Sequence, residues 1–148
     1  MSTLSERILS PARHNTFALL IAGSRDYTDY AEFSDITDYL LSQVRDKYEI
    51  LILEGEARGT DTLARLYAEE HGYRLDKYPA DWNTYGKSAG LWRNEVMVSQ
   101  LQLYQHRAAL YFWNGRSRGT AHCIGEAKKL GIPIKVWNYE TRQFMKDY

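Results

Sequence analysis

Within 148 residues there is one cysteine, Cys123, so no disulfide can form inside the chain and a reducing, cytoplasmic compartment is expected. Charge of one sign is not in excess: Lys+Arg and Asp+Glu both number 19. That balance argues against a broad nucleic-acid-binding face, although a local basic pocket stays open. No apolar run approaches the ~20 residues of a membrane span, so no membrane partner is expected. Residues 1–15 lack an apolar stretch followed by a small-residue cleavage site and read as a flexible polar arm rather than a secretory signal. There is no internal repeat, low-complexity segment or linker, so residues 16–148 read as one domain.

What is present alternates. Residues 16–22 (TFALLIA), 49–53 (EILIL), 108–113 (AALYFW) and 132–137 (IPIKVW) are short apolar runs, each predicting a buried strand. Residues 73–78 alternate instead, as an edge strand does. Between the runs, apolar residues recur at helical spacing over residues 31–47, over a helix that ends at Gly72, over residues 88–106, and over a helix that ends at Leu130-Gly131. Residues 79–87 read as a loop and residues 138–148 as a tail packed on the sheet or on a partner. The pattern implies an α/β, Rossmann-like, three-layer domain with a five-stranded parallel sheet in the order 3-2-1-4-5. Ligands of such sheets bind beyond the carboxyl ends of the strands, where the winding reverses, here between the first and fourth strands.

The loops at that point carry the candidate chemistry. Gly23-Ser24-Arg25 offers a hydroxyl and a guanidinium to a phosphate, or is a surface turn. Gly55, Gly59, Thr60 and Asp61 lie in a loop entering a helix; it can hold a ribose or phosphate, or simply cap the helix. Glu54, ending an apolar strand, can accept from sugar hydroxyls or pair with Arg25. Gly115, Ser117, Arg118, Gly119 and Thr120, with Arg116, form a glycine-bearing turn whose free amides would suit an anion, or a plain turn capped by Thr120. Trp82 and Tyr85 can stack on a base and Lys87 can reach a phosphate, unless the segment packs its aromatics on the domain. Arg93 and Asn94, early in the following helix, can face the ligand or solvent. His71, His106 and His122 show no metal-ligand spacing with Cys123, which reads as a packed, inert thiol. Neither a metal nor a cofactor is expected.

Gly23-Ser24-Arg25, Glu54-Gly55 with Gly59-Thr60-Asp61, Ala80-Asp81-Trp82 with Tyr85-Gly86, Ala89-Gly90 with Arg93-Asn94 and Met97, and Gly115 with Ser117 and Gly119-Thr120 together resemble the YspA/YpsA-related families of the SLOG superfamily. The resemblance spans residues 17–137. It implies a Rossmann-like fold and a nucleotide-derived, ADP-ribose-like ligand, sensed or sequestered, in bacterial or phage conflict systems. It also implies pairing through helices, hence a homodimer or larger homo-oligomer. The superfamily includes the LOG phosphoribohydrolases, which cleave the base from a nucleoside monophosphate. Arg93 and Met97, and Gly119-Thr120, are similar to their motifs, but where those enzymes carry a catalytic glutamate this chain has His122. An N-glycosidic hydrolase is therefore the alternative to a binder, with Glu54, Asp81 or Glu126 as its acid or base. DNA binding of the kind seen in distant DprA-type relatives fits the neutral charge worst.

Overall fold

The computed structural model describes residues 15–146. The arm expected over residues 1–15 lies, apart from its last residue, outside the described residues. Strands β1 (Thr16–Gly23), β2 (Glu49–Glu54), β3 (Arg74–Lys77), β4 (His106–Trp113), β5 (Ile134–Asn138) and β6 (Gln143–Phe144) alternate with helices. The helices are α1 (Tyr30–Leu41), α2 (Thr60–His71), the single turn α3 (Trp82–Tyr85), α4 (Ala89–Gln100) and α5 (Arg118–Lys129). They build one sheet in the order β3-β2-β1-β4-β5-β6. The first five strands are parallel, in the order expected, and β6 pairs antiparallel with β5.

β1 is central, so its apolar run faces a layer on each side. Ala18, Leu20 and Ala22 pack with Met97, Val98, Cys123 and Ala127 of α4 and α5. Leu19 and Ile21 point the other way, onto Phe33, Leu63 and Tyr67 of α1 and α2. This explains why the strand reads as continuous apolar sequence. Each large side chain buried there contributes roughly 1.5–3 kcal/mol of transfer free energy. Gly72 ends α2 in the left-handed region, φ 68°, and its amide closes on Ala68 and Glu69. No helix among the described residues is long and apolar enough to cross a membrane.

Several boundaries differ from the sequence reading, most by one or two residues. α1 stops at Leu41 and the chain continues in turns, because Val44 and Arg45 both donate to the Leu41 carbonyl. Val44 still reaches the core, so its periodicity survives without the helix. α4 ends at Gln100; a 3-10 turn, Leu101–Leu103, follows, Tyr104 is extended, and β4 begins at His106. The segment expected as a loop over residues 79–87 contains α3, because the Asp81 carboxylate accepts from the Thr84 amide and starts a turn. The tail packs on the sheet: Phe144 sets its ring edge-on to Trp137 at 5.0 Å, and Arg142 pairs with Glu32 at 3.2 Å. Trp137 and Tyr27 donate to the same Glu32 carboxylate, at 3.0 and 2.8 Å, so one half-hidden acid ties the tail to α1.

Candidate functional site

Beyond the carboxyl ends of β1, β2 and β4 lies a cleft of about 510 Å³. Its walls are the β1 loop (Gly23, Ser24, Arg25, Asp26), the β2–α2 loop (Ala57, Arg58, Asp61), α4 (Arg93, Asn94, Met97) and the entry to α5 (Asn114, Arg116, Ser117, Gly119, Thr120). A second lobe, of about 450 Å³, shares Arg25, Ala57, Arg58 and Arg93 and adds Gly55, Pro79, Ala80 and Trp82.

Close backbone approaches hold the floor together. A side chain on Gly23 would stand 2.2 Å from the Phe112 carbonyl and 2.6 Å from the Thr60 hydroxyl. Glycine there lets the Ser24 amide donate to Phe112 at 2.9 Å and lets Thr60 Oγ1 donate to the Ser24 carbonyl at 2.9 Å. Ser24 is 97% buried and lines the cleft, and its hydroxyl has no hydrogen-bond partner among the described residues. Gly59, φ 74°, passes so near Arg25 that an added Cβ would lie 2.3 Å from its carbonyl oxygen.

The two glycine-bearing loops differ in where their amides point. In the β2–α2 loop the Glu56 amide donates to Glu54 Oε2 at 2.7 Å and the Ala57 amide to Asp61 Oδ2 at 3.1 Å. These two amides turn inward, so of the two readings of this loop they favour the one in which it serves the start of the helix. Glu54 is fully buried beneath the loop, so it meets neither of its expected roles: it pairs with no Arg25, and it does not line the cleft. Burial pushes its carboxyl up to about 7, against the pull of the Glu56 amide, with the Asp61 charge adding to the rise. Burial likewise pushes Asp61 up to about 6, opposed by the Ala57 amide and Arg93.

In the β4–α5 loop two amides also turn inward, but onto a neutral side chain. Asn114 Oδ1 accepts from the Arg116 and Ser117 amides at 2.8 and 2.9 Å, and Gly115, φ 81°, completes the turn. Ser117 stands at the N-cap but caps no amide; its hydroxyl lies 3.2 Å from that of Thr120. Thr120 is within the helix, so it is not the cap expected from sequence. The first-turn amides of Arg118, Gly119 and Thr120 thus have no partner among the described residues. A Cβ on Gly119 would meet nothing within 4 Å, and the residue lines the cleft.

Of the residues singled out from sequence, Gly23, Ser24, Arg25, Asp61, Arg93, Asn94, Arg116, Ser117, Gly119 and Thr120 line the first lobe. Gly55 and Trp82 line the second, where Arg25 stands 5.8 Å above the half-exposed Trp82 ring. Gly59, Thr60, Gly115, Arg118 and Lys87 do not line either lobe. Tyr85 faces a separate apolar recess beside Trp92, with ring centres 5.6 Å apart. Asp81 borders that recess and is occupied as the α3 cap. Glu126 pairs with Lys129 at 3.0 Å and lies outside the cleft. Met97, paired with Arg93 by the resemblance, lines this first lobe too; Asp26, Ala57, Arg58 and Asn114 also line it without having been named as ligand contacts, although the short spacing of Asp26 and Asn114 from the glycines was an available signal. Sequence reasoning missed that Glu95, His122 and Glu126 bring ligand-type atoms within 4.8 Å of one another, because the three come from two helices. Cys123 forms part of the cleft floor, its thiol pushed up to about 12 by burial, in keeping with an inert group.

The Gene 61 protein of Mycobacterium phage D29 is 36% identical over 122 residues, which cover 78% of this chain and 92% of the relative. Residues 17–85 match the profile described as YAcAr, the YspA, cpYpsA-related SLOG family. The chain belongs to the YAcAr family. Residues 17–85 contain β1 to α3, and therefore the Gly23 turn, the β2–α2 loop and Trp82 of the YAcAr cleft. The X-ray structure of TM1055, a Northeast Structural Genomics Consortium target, is similar at a TM-score of 0.55 and 19% identity, over 80% of this chain and 72% of that one. That likeness carries the YAcAr fold alone.

Proposed function

We propose that this protein binds a nucleotide or nucleotide-derived, ADP-ribose-like molecule in the cleft, as a sensor or as a protein that sequesters a signal. One observation carries the reading. The uncapped first turn of α5 opens into a cleft that also holds the buried, unpartnered Ser24 hydroxyl and the guanidiniums of Arg25 and Arg93. Such a turn presents amides and the positive end of a helix dipole to an anion. Trp82, half-exposed in the adjoining lobe with Arg25 over its ring, supplies a face for a base. A relative from a phage agrees with a role in phage or bacterial conflict. Small-molecule binding in the cytoplasm accounts for the cleft without nucleic acid or membrane. The half-exposed Leu91, Trp92 and Val96 on α4 support a homodimer, which sedimentation would detect.

A hydrolytic role is the second reading, and it rests on Asp61. This acid lines the cleft with its carboxyl raised to about 6, whereas Glu54, Asp81 and Glu126 do not line it. The test is a thermal-shift panel of nucleoside mono- and diphosphates, ADP-ribose and cyclic variants, followed by chromatography of the incubated ligand. Stabilisation that grows with the logarithm of ligand concentration and unchanged ligand support the binder. Release of free base supports the hydrolase, and no shift with any of them removes both.

A further inference from the structure

Asn94 is 94% buried, and each of its polar atoms has a partner. Its Nδ2 donates to the Gly119 carbonyl at 3.2 Å and faces His122 Nδ1 at 3.3 Å. Its Oδ1 accepts from Arg93 Nε at 2.9 Å. Turning the amide over would set oxygen against oxygen at Gly119 and N–H against N–H at Arg93, so its orientation is fixed. An amide nitrogen only donates. His122 Nδ1 therefore accepts, and the proton of the neutral ring sits on Nε2. That nitrogen faces Glu126 Oε1 at 3.6 Å and Glu95 Oε1 at 4.0 Å. With Nε2 protonated it has no lone pair to offer, so these three side chains are not organised to coordinate a cation.

We infer that His122 is a positioning residue: through Asn94 it holds Arg93 and the first turn of α5 in the arrangement that takes the anion, and a second proton on its ring releases them. This rests on the reading of the cleft as an anion site. The second proton has only Nδ1 to occupy, where it meets the N–H of Asn94. The charged groups that face the ring are Glu95 from α4 and Glu126 from α5, with Lys129 3.0 Å from Glu126 and Arg93 across Asn94. Once protonated, the ring repels the amide. Asn94 then turns away, Arg93 loses the acceptor of its Nε, and the Gly119 carbonyl loses its donor. His122 thus takes a different part from the carboxylate that stands at this position in the hydrolases resembled: it senses the proton and passes the effect to an arginine.

The experiment measures ADP-ribose affinity by calorimetry at about pH 8 and about pH 5.5 for the native protein, His122→Asn and His122→Leu. The asparagine oxygen can stand in for Nδ1 as acceptor but takes no proton. His122→Asn and His122→Leu should share one pH profile, set by Asp61 in the cleft, with His122→Leu about tenfold weaker at about pH 8. The native protein should lose about tenfold more affinity on acidification than either, the cost of about one hydrogen bond to a charged group. One shared pH profile for all three proteins overturns the inference. The ring nitrogens are also followed by 15N NMR without ligand. At about pH 8 the proton is expected on Nε2, and on acidification the Asn94 side-chain amide should shift together with the ring. A proton on Nδ1, or an amide indifferent to ring protonation, overturns the inference whether or not ADP-ribose binds. Failure of the native protein to bind any anion, with the ring behaving as described, instead overturns the cleft reading.

Discussion

The β2–α2 loop over residues 55–59 and the β4–α5 loop over residues 114–117 flank the same central strand and share glycine, arginine and a following Gly-Thr pair. The first folds onto its own carboxylates: Glu54 and Asp61 take the Glu56 and Ala57 amides. The second has no acid in it. Asn114 satisfies two amides of the turn, and the three at the start of α5 have no side-chain cap, with Gly119 and Thr120 lining the cleft. Both loops turn two amides inward, and neither following helix has a side-chain cap. They differ in the acceptor, which is a buried carboxylate in the first and a neutral amide oxygen in the second, so only the second leaves its helix start without an acid beside it.

Breaking each loop should therefore give opposite phenotypes. Gly59→Ala forces a side chain into φ 74° and against the Arg25 carbonyl, so a loss of more than about 3 kcal/mol is expected, read as a collapsed urea midpoint. Gly119→Asp places a carboxylate at a helix N-terminus, in open space. Its melting temperature should hold or rise, while affinity for ADP-ribose falls by about a hundredfold. Asp61→Ala removes the acceptor of the Ala57 amide and should cost about 2 kcal/mol. Were Gly119→Asp to unfold the protein and Gly59→Ala to spare it, the comparison would be inverted.

The two loops should also differ in their response to pH. Glu54 is raised from 4.5 to about 7 and Asp61 from 3.8 to about 6, so each ionises in the unfolded chain before the folded one. Their contribution to stability is complete below the lower value and is lost as pH rises through the higher one. The melting temperature should fall as pH rises toward neutrality, and Glu54→Gln should flatten that fall. The smallest effect is expected at Arg116→Ala, which removes only an exposed ion pair with Glu140; its melting curve should overlay the native one.

The fold was legible because the central strands are buried on both faces and therefore read as unbroken apolar runs, from residue 17 to 22 and from 108 to 113. The meeting of the Gly23, Gly55 and Gly119 loops followed from strand order. β6 was not legible: its two residues, Gln143 and Phe144, are held by Glu32 through Arg142, a partner more than a hundred residues away. The direction of amides in the β2–α2 loop was hidden for a related reason. Glu54 looks like a ligand-facing acid until the loop is seen folded over it, whereas Asp61 both takes the Ala57 amide and lines the cleft. Asn94 and His122 meet only because α4 packs on α5, which no spacing along the chain records.

The most direct test is an amide chemical-shift titration of the 15N-labelled protein with ADP-ribose. The largest movements should fall on Arg118, Gly119 and Thr120, with Glu56 and Ala57 little changed. Movements concentrated on residues 55–57, or a still α5 entry at saturating ligand, would contradict the assignment of the open loop as the anion site.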